Sequence, residues 1–512
     1  MSRCRRLSSY AVAAAVLAAA MTVSAVPARA TGVRVLRVGT FHGIAGAYAS
    51  IQAAVDAANP GDWILVAPGD YHETGAADAG VRVTKPGIHI RGLSRNGVVV
   101  DGTVTGSGPC SAAPSAQNPS KTGRNGIEVL KVDGVTVENL TVCNFLGDSS
   151  GNGGNEIWWN GGDGSGSIGL GSFHGAYLTA SSSYFSASDP RLGMYGIFVS
   201  NSDGPGSIEQ AYASNMADSG FYVGACRDCN ATLSMVHSEN NALGYSGTNA
   251  GGHLRIVGSE WNGNRAGIVP NSLANDDPPS PQDGSCPADP ARSCTVIEGN
   301  WVHDNNNPNT PALGLTAGAP VGTGIELSGD RNDTVRGNLV TNQGAWGILV
   351  HDYPDPSPPS IPQYCAGGLP GVSAPPFGTV CYFVGFGNRV IGNVLLNNGT
   401  FGNPTNGDLG DATIPNPLGP DGNCFIGNVD PRGLTSDPAD IQSRAVLGTC
   451  GNANGGDMGV LLSQIVCAAL NLCQTGGTYP QPSTVRMLAI PRHEQSMPEP
   501  CDGVPDNPWC VG

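Results

Sequence analysis

A Gly–apolar–x–apolar phrase recurs along this chain at a nearly constant interval. In chain order it is found at Gly196–Val199, Gly220–Val223, Gly244–Gly247, Gly267–Pro270, Gly324–Leu327 and Gly347–Val350. The uninterrupted steps between the glycines are 24, 24, 23 and 23 residues. A period in the twenties is typical of a solenoid, whose units bury their apolar faces only by stacking on one another. The alternation inside each phrase predicts that the unit is a strand, with its x residue facing outward.

A second motif, Gly-Asn followed by x and an apolar residue, supports the same coil. It begins at Gly299, Gly337, Gly392 and Gly427. Stacked Asn side chains can hydrogen-bond to the coils above and below and so satisfy buried backbone groups. We therefore interpret these Asn residues as structural.

The first thirty residues predict a secretory signal peptide. Arg3, Arg5 and Arg6 precede an apolar run from Ala11 to Val26, and Ala28-Arg29-Ala30 is a small–x–small cleavage signal. Cleavage after Ala30 implies a secreted, extracellular protein. No later run is apolar for long enough to cross a bilayer, so we predict no membrane insertion.

Fifteen cysteines, fourteen of them after the leader, predict disulfide-stapled loops in an exported protein. The connectivity stays open, although several cysteines lie close in sequence: Cys226 and Cys229, Cys286 and Cys294, Cys365 and Cys381, Cys467 and Cys473, Cys501 and Cys510. Cys110, Cys143, Cys424 and Cys450 are left over. A zinc site at Cys226-x-x-Cys229 is the alternative, and it requires two further ligands.

Composition narrows the possible partners. The formal net charge is -16 and only 13% of residues are charged. This excess of acid argues against a nucleic-acid partner, whose binding requires clustered Lys and Arg. With 75 Gly and 39 Pro but regular apolar spacing, the chain is predicted to be folded, turn-rich and all-β.

The region from Ser50 to Gly102 links the repeat to a known group of proteins. SIQAAVDAANPGDWILVAPGDYHE begins as a short helix with Ser50 as its N-cap and continues into strands, and VRVTKPGIHIRGLSRNGVVVDG adds further strands. These runs resemble the opening of right-handed parallel β-helix proteins of the pectin-lyase-like superfamily, in its β-helix-repeat or NosD-like group. The group mixes lyases, hydrolases, epimerases and non-enzymes, so it implies a fold and no single activity.

The resemblance implies an all-β, single-stranded right-handed parallel β-helix (solenoid) with a short N-terminal capping helix. Met458 to Leu472 has the spacing of an apolar helix flanked by cysteines, which predicts a disulfide-tied C-terminal cap, with a small separate domain as the alternative. We divide the chain into the signal peptide (1–30), the β-helix domain with loop insertions (31–430), and the cap with a Cys-rich tail (431–512). No stretch matches the Ca²⁺-ligand and base motifs of the best-defined lyases of the superfamily. No catalytic residue is therefore transferred from it.

Outward aromatic residues are the candidates for binding a sugar ring. Phe198 and Tyr222 occupy the x position of successive phrases, and Trp158 and Trp159 lie together in an apparent Gly-rich insertion at 147–174. Trp261 completes the predicted substrate-binding set. The alternative is that flanking loops cover these side chains.

Polar residues on the same coils are the catalytic candidates: Asp218, His237, Glu239, Glu260 and Arg265. His237 and Glu260 are one period apart and are expected to be neighbours. Such residues suit β-elimination, in which a cation neutralises a uronate carboxylate, or hydrolysis by two carboxyl groups. A solvated polar surface without function is the alternative. His303-Asp304 and His351-Asp352 are isolated pairs that we do not interpret as catalytic.

Asp276 and Asp277 provide oxygen ligands of the kind Ca²⁺ requires, with an ordinary turn as the alternative. Ca²⁺ is the only cofactor that the sequence suggests.

We predict a secreted protein that binds an extracellular polysaccharide and, if it is an enzyme, cleaves it as a lyase or glycoside hydrolase. The alternative is a non-catalytic surface scaffold or adhesin. Metal handling, as in the NosD-type proteins, is not supported, because the His and Met residues of this sequence show no regular ligand spacing. The oligomeric state stays open.

Overall fold

A computed structural model describes residues 32–274, 293–356, 365–415, 417, 422–446, 457–473 and 477–510. The predicted signal peptide, Asp276, Asp277, Cys286 and Cys450 lie outside the described residues. In the described part of the chain, no helix is both long and apolar enough to span a membrane.

The recurring phrase forms one face of the coil, a sheet of eleven parallel strands. These strands are β6 (Ala79–Val83), β9 (Asn125–Leu130), β11 (Asn155–Asn160), β13 (Tyr195–Ser200), β16 (Ser219–Gly224), β19 (Leu243–Thr248), β22 (Ala266–Asn271), β25 (Thr323–Ser328), β28 (Trp346–His351), β34 (Gly407–Ala412) and β36 (Ser436–Asp437). We call this the first sheet.

The other two faces of the coil form a second sheet of twenty strands, in which parallel pairing again joins each coil to the next. Its strands are β1 (Val35–Val38), β4 (Trp63–Val66), β5 (Gly69–Tyr71), β7 (His89–Gly92), β8 (Val98–Asp101), β10 (Val135–Cys143), β12 (Phe173–Ser181), β14 (Gly206–Glu209), β15 (Tyr212–Ser214), β17 (Ala231–Ser234), β18 (His237–Glu239), β20 (Leu254–Val257), β21 (Glu260–Asn262), β23 (Thr295–Glu298), β24 (Trp301–His303), β26 (Thr334–Arg336), β27 (Leu339–Thr341), β32 (Arg389–Ile391), β33 (Val394–Leu396) and β35 (Cys424–Ile426). A coil such as β17–β18–β19 therefore supplies three strands. The predicted right-handed parallel β-helix is confirmed.

In the part of the chain that the structure describes, three helices and two small sheets complete the fold. The helices are α1 (Ile51–Ala57), α2 (Ile441–Val446) and α3 (Met458–Leu470), with 3₁₀ turns at Pro114–Ala116 and Gly314–Gly318. The antiparallel sheets are β2 (Thr40–Phe41) with β3 (Ile44–Ala45), and β29 (Tyr353–Asp355), β30 (Leu369–Ser373) and β31 (Thr379–Phe383).

The register of the first sheet stacks like positions of the phrase. The first apolar residue of each phrase points inward and is almost fully buried, as in Ile197, Phe221, Tyr245, Ile268, Ile325 and Ile348. The x residues form the outward column: Trp158, Phe198, Tyr222, Ser246, Val269, Glu326 and Leu349. A coil cannot bury this interior alone, which is why the repeat needs its neighbours.

The structure explains why each residue of the Gly-Asn motif is needed. Gly299 and Gly337 have positive φ angles of 64° and 61°, a region that glycine adopts without steric cost, and they form the bend between strands of the second sheet. The following Asn points inward, where Asn300 donates to Asn338 (3.0 Å) and Asn338 to Asn393 (2.9 Å). The predicted structural role of these Asn residues is confirmed.

Both ends of the coil carry a helix. Ser50 caps α1 by accepting from the Ala53 amide at 3.3 Å, and α1 packs near β6, the first strand of its sheet. At the other end Asn428 donates to Gln442 of α2 at 2.9 Å, so a helical side chain ends the Asn ladder. Covering these ends removes open strand edges that would otherwise pair with other chains.

The predicted disulfides are present, and those within the described residues join Cys110–Cys143, Cys226–Cys229, Cys365–Cys381, Cys467–Cys473 and Cys501–Cys510. Four of these join cysteines that lie close in sequence, and Cys110–Cys143 joins two of those left over. The alternative of a zinc site at Cys226 and Cys229 is wrong, because these sulfurs are bonded to each other.

The tail then runs back along the coil. Leu488 accepts and donates hydrogen bonds at Asn215, and Trp509 donates to Ile44 at 3.0 Å.

Candidate active site

A cavity of about 810 Å³ lies against the outward face of the first sheet. Its floor includes side chains from β19 to β28, and its walls are the β29–β31 sheet on one side and α3 with the 3₁₀ turn at Gly314–Gly318 on the other. Most of the lining is apolar, for example Leu313, Val372, Phe377, Leu462 and Ile465. A mostly apolar cavity with a few convergent polar groups is the usual form of a small-molecule or glycan site.

Two ionisable side chains meet on the floor of this cavity. Glu326 is the x residue of its phrase in β25, and His351 is the last residue of β28 on the next coil. The Oε1 atom of Glu326 is 2.9 Å from Nε2 of His351, and both side chains are buried. The second carboxylate oxygen of Glu326, Oε2, is buried without a hydrogen-bond partner in the described structure. This oxygen is therefore an unsatisfied acceptor on a residue that lines the cavity.

The surroundings of His351 fix its ring. Nδ1 donates to the backbone carbonyl of Asp352 at 2.7 Å, which leaves Nε2 to face Glu326. Burial acts to lower the pKa of His351, but the hydrogen bond and charge of Glu326 outweigh it, so the pKa is raised.

Asp352 is a second carboxyl group on the cavity. Burial raises the pKa of Asp352 to about 7, although Ile414, Gly385 and the hydroxyl of Tyr382 all donate to it. The Tyr382 hydroxyl lies 3.0 Å from Oδ2 of Asp352, and burial followed by the Asp352 charge raises the pKa of that tyrosine. Because its pKa is near neutrality, Asp352 can hold or release a proton at ordinary pH.

Carboxyl groups outnumber basic side chains in the lining of the cavity. Asp218, Glu326 and Asp352 line it, whereas no Arg or Lys is among the described residues of its lining. The one imidazole there, His351, is already paired with Glu326, so an anionic substrate would meet the carboxyl groups without a free cationic side chain. The arrangement therefore favours a neutral ligand.

Asp218 lies at the far end of the cavity and Arg265 lies outside it. Burial raises the pKa of Asp218 to about 6 and lowers that of Arg265 to about 10. Arg265 donates from Nε to the Ala319 carbonyl at 2.6 Å, and no ion pair joins it to Asp218 in the described chain. Three coil steps separate Asp218 from Glu326, or about 14 Å along the axis. The two carboxyl groups cannot act on one bond.

The remaining catalytic candidates lie on the second sheet, away from the cavity. His237 and Glu260 are register partners, as the period predicted, but Nε2 of His237 bonds to Asn262 at 2.7 Å. Glu239 accepts from the hydroxyl of Tyr212 at 2.6 Å. The structure therefore separates these three residues from Asp218, with which the sequence grouped them.

Among the aromatic residues predicted to bind a sugar ring, those that face outward contact one another. Trp158 lies in strand β11 rather than in an insertion, and its ring stacks on Phe198 with centroids 5.0 Å apart. Tyr222 packs edge-on against Phe198 and is largely buried. Trp159 and Trp261 are wrong as substrate-binding residues, because both are fully buried in the core.

The residues that form the acid–base cluster were not among the sequence candidates. Glu326 occupies the x position of the Gly324–Leu327 phrase and is the only carboxylate at the x positions of the six phrases, which was a usable signal. His351 and Asp352 looked isolated because their partners, Glu326 and Tyr382, are 25 and 30 residues away in the chain. Tyr382 belongs to a loop insertion, whose position the repeat does not determine.

The comparisons with known proteins concern this fold. No protein-family model matches the chain, and the search among curated proteins found no match. The chain is similar to the solved structure of the Azotobacter vinelandii mannuronan C-5 epimerase AlgE4 A-module, with 12% identity, a TM-score of 0.42, and coverage of 74% of this chain and 89% of that one.

Two further solved structures are similar to this chain at comparably low identity. An alginate lyase from Paenibacillus sp. str. FPU-7 shows 11% identity and a TM-score of 0.36 over 79% of this chain and 97% of that one. The enzymatically active domain of bacteriophage CBA120 tailspike protein 2 shows 13% identity and a TM-score of 0.39 over 73% and 44%. These identities are too low to transfer an activity.

Proposed function

We propose that this protein is a secreted glycoside hydrolase that cleaves a neutral polysaccharide in the cavity on the first sheet. The observation that carries the proposal is the pair of carboxyl groups, Glu326 and Asp352, on one cavity in different surroundings. Glu326 is paired with the imidazole of His351 at 2.9 Å, whereas burial raises the pKa of Asp352 to about 7. Such a pair is what glycoside hydrolysis requires.

The roles follow from the contacts of each group. Asp352, in its protonated form, is the general acid that gives its proton to the leaving oxygen of the scissile bond, and the Tyr382 hydroxyl positions its carboxyl group. Glu326 uses its unpaired Oε2 as the general base toward water or as the nucleophile. His351 is a positioning residue that orients Glu326. The apolar walls and Tyr195 and Tyr353 would contact the C–H faces of sugar rings.

Hydrolysis is favoured over β-elimination by the charge of the cavity. Elimination from a uronate needs a cation that neutralises the substrate carboxylate before a base removes the neighbouring proton. The described lining holds three carboxyl groups, no Arg or Lys, and one imidazole, His351, that is already paired with Glu326. A neutral glycan avoids this repulsion. The disulfides support the extracellular setting, since such bonds persist in oxidising compartments.

The test is an assay of purified protein on a panel of neutral and uronate polysaccharides. We expect new reducing ends from a neutral member, no unsaturated uronide absorbance, and loss of activity in Glu326→Gln and Asp352→Asn. Glu260→Gln is the matched control, because Glu260 also pairs with a histidine, His303, but on the second sheet. Unsaturated products from a uronate polymer would contradict the proposal. Absence of any cleavage or glycan binding would favour the scaffold alternative.

A further inference from the structure

A second cluster of ionisable side chains lies far from the cavity, near the N-terminal end of the coil. Strands β5 and β8 pair in parallel, with Asp70 opposite Val99 and Tyr71 opposite Val100. Continuing this register by one residue brings His72 opposite Asp101. Asp70 and His72 are two residues apart and so project from the same side of the strand. Three side chains from two coils thus converge.

The ligand atoms of these residues are close enough to share one ion. One atom each from Asp70, His72 and Asp101 lie within 4.8 Å of one another. The Nε2 atom of His72 is 3.3 Å from Oδ2 of Asp70. Two ligands bonded at about 2.0–2.1 Å to a tetrahedral ion are about 3.3–3.4 Å apart, so this distance fits without rearrangement.

Surrounding backbone groups hold the cluster in this geometry. Nδ1 of His72 is 2.9 Å from the carbonyl oxygen of Thr103. A carbonyl only accepts, so Nδ1 carries a proton and Nε2 is directed at the two carboxylates. Asp101 is buried and accepts from the amides of Thr103 (2.8 Å) and Cys110 (2.6 Å). A backbone carbonyl on the second nitrogen is the usual support of a metal-binding histidine.

One ligand atom from each of the three side chains therefore faces the other two. A cation between them can accept an electron pair from each. The nearby sulfurs of Cys110 and Cys143 do not compete for it, because they are joined in a disulfide. About a quarter of the Asp70 side chain is exposed, which gives an ion access from solvent.

We propose that Asp70, His72 and Asp101 form a binding site for a divalent transition-metal ion of the Zn²⁺ class. One imidazole nitrogen and two carboxylate oxygens suit Zn²⁺, with water as the fourth ligand, whereas Ca²⁺ requires six to eight oxygens. The ion would join β5 to β8 and so tie two coils together. This site is independent of the proposed hydrolase activity.

The experiment is a calorimetric titration of the folded protein with ZnCl₂ and, separately, CaCl₂, together with the melting temperature at each ion concentration. We expect one Zn²⁺ per chain, a rise in melting temperature with Zn²⁺, and weaker binding of Ca²⁺. His72→Gln and Asp70→Asn should each weaken Zn²⁺ binding by at least about tenfold and abolish the thermal shift.

The matched control is His303→Gln. His303 also contacts two carboxylates, but Asp304 faces its Nδ1 and Glu260 its Nε2, so the two acids lie on opposite sides of the ring. Zn²⁺ binding should be unchanged in this variant. Asp70 is partly exposed, so Asp70→Asn keeps the test valid if His72→Gln fails to fold. Absence of Zn²⁺ binding, equal loss in His303→Gln, Ca²⁺ binding as tight as Zn²⁺, or unchanged binding in Asp70→Asn would overturn the proposal.

Discussion

Glu326 and His351 form a buried carboxylate–imidazole pair between successive coils, with 2.9 Å between Oε1 and Nε2. Glu260 and His303 form the same kind of pair on the second sheet at 3.2 Å. The difference is the environment: the Glu326 side chain is 4% exposed, and that of Glu260 is 39% exposed. Charges interact more strongly where water is excluded, so only the first pair is suited to hold a reactive carboxylate.

The first prediction concerns this difference. Glu326→Gln keeps the shape of the side chain but removes the base, so kcat should fall by about 10²–10⁴-fold, the usual contribution of a general acid–base group. Glu260→Gln should leave kcat within a factor of two of the wild type. The measurement is the initial rate of reducing-end release on the best substrate. Comparable losses in the two variants would show that the cavity is not the active site.

The second prediction concerns the pH dependence of that rate. Burial raises the pKa of Asp352 to about 7, and the proposed general acid must be protonated to act. The rate should therefore fall as pH rises through about 7, and Asp352→Asn should lose both the activity and this alkaline limb. A rate that stays constant between pH 6 and 9 would contradict the role of Asp352 as the acid.

The third prediction concerns stability. Burial raises the pKa of Asp330 from 3.8 to about 7, so the folded state binds a proton that the unfolded chain has released. This contribution to stability is complete below pH 4 and is lost as pH rises through 7, and it amounts to at most about 4 kcal/mol. Asp330→Asn should therefore lose less unfolding free energy than the wild type between pH 4 and 7.

Urea unfolding at pH 4.5 and 7.5 measures this effect. Asp56 is an exposed residue of α1, so Asp56→Asn is the control and should show the same pH dependence as the wild type. An equal pH dependence in Asp330→Asn would mean that other buried groups, such as Asp333, determine it.

How far the sequence predicts this molecule depends on which interactions are periodic. The phrase and the Gly-Asn motif predicted the coil, the inward column and the Asn ladder, because each is repeated on every coil and depends only on its nearest neighbours. The prediction that His237 and Asp218 belong to one site was wrong, because the structure separates them. His237 lies in β18 of the second sheet, whereas Asp218 directly precedes β16 of the first sheet. A period relates equivalent positions on successive coils without specifying which face a turn directs them to.

The candidate active site depends instead on contacts that do not repeat. Glu326 was visible in the outward column, but its importance comes from His351 and from the walls that exclude water. Those walls are built by the β29–β31 insertion and by α3, whose positions follow no repeat. The burial of Trp159 likewise could not be predicted from the sequence pattern. Its burial could be known only once β11 was recognised as a strand of the sheet.

The last prediction tests the Asn ladder as a source of stability. In Asn338, Oδ1 accepts from the backbone amide (2.9 Å) and the side-chain amide (3.0 Å) of Asn300, and Nδ2 donates to the carbonyl of Ile297 at 3.0 Å. Asn338→Ala removes these bonds from the Asn300 backbone amide and the Ile297 carbonyl, and each such group costs about 1–3 kcal/mol, whereas the Asn300 side-chain amide still donates to Ile256. The free energy of unfolding should fall by roughly 2–6 kcal/mol in total. Asn59→Ala, at an exposed position, should change it by less than about 0.5 kcal/mol.

Hydrogen exchange would show where this loss occurs. Because each coil contacts only its neighbours, protection should decrease in β24, β27 and β33, which surround Asn338, and remain unchanged in β13. A uniform loss of protection along the whole coil would mean that the β-helix unfolds as one cooperative unit. In that case the ladder would stabilise the fold globally rather than coil by coil.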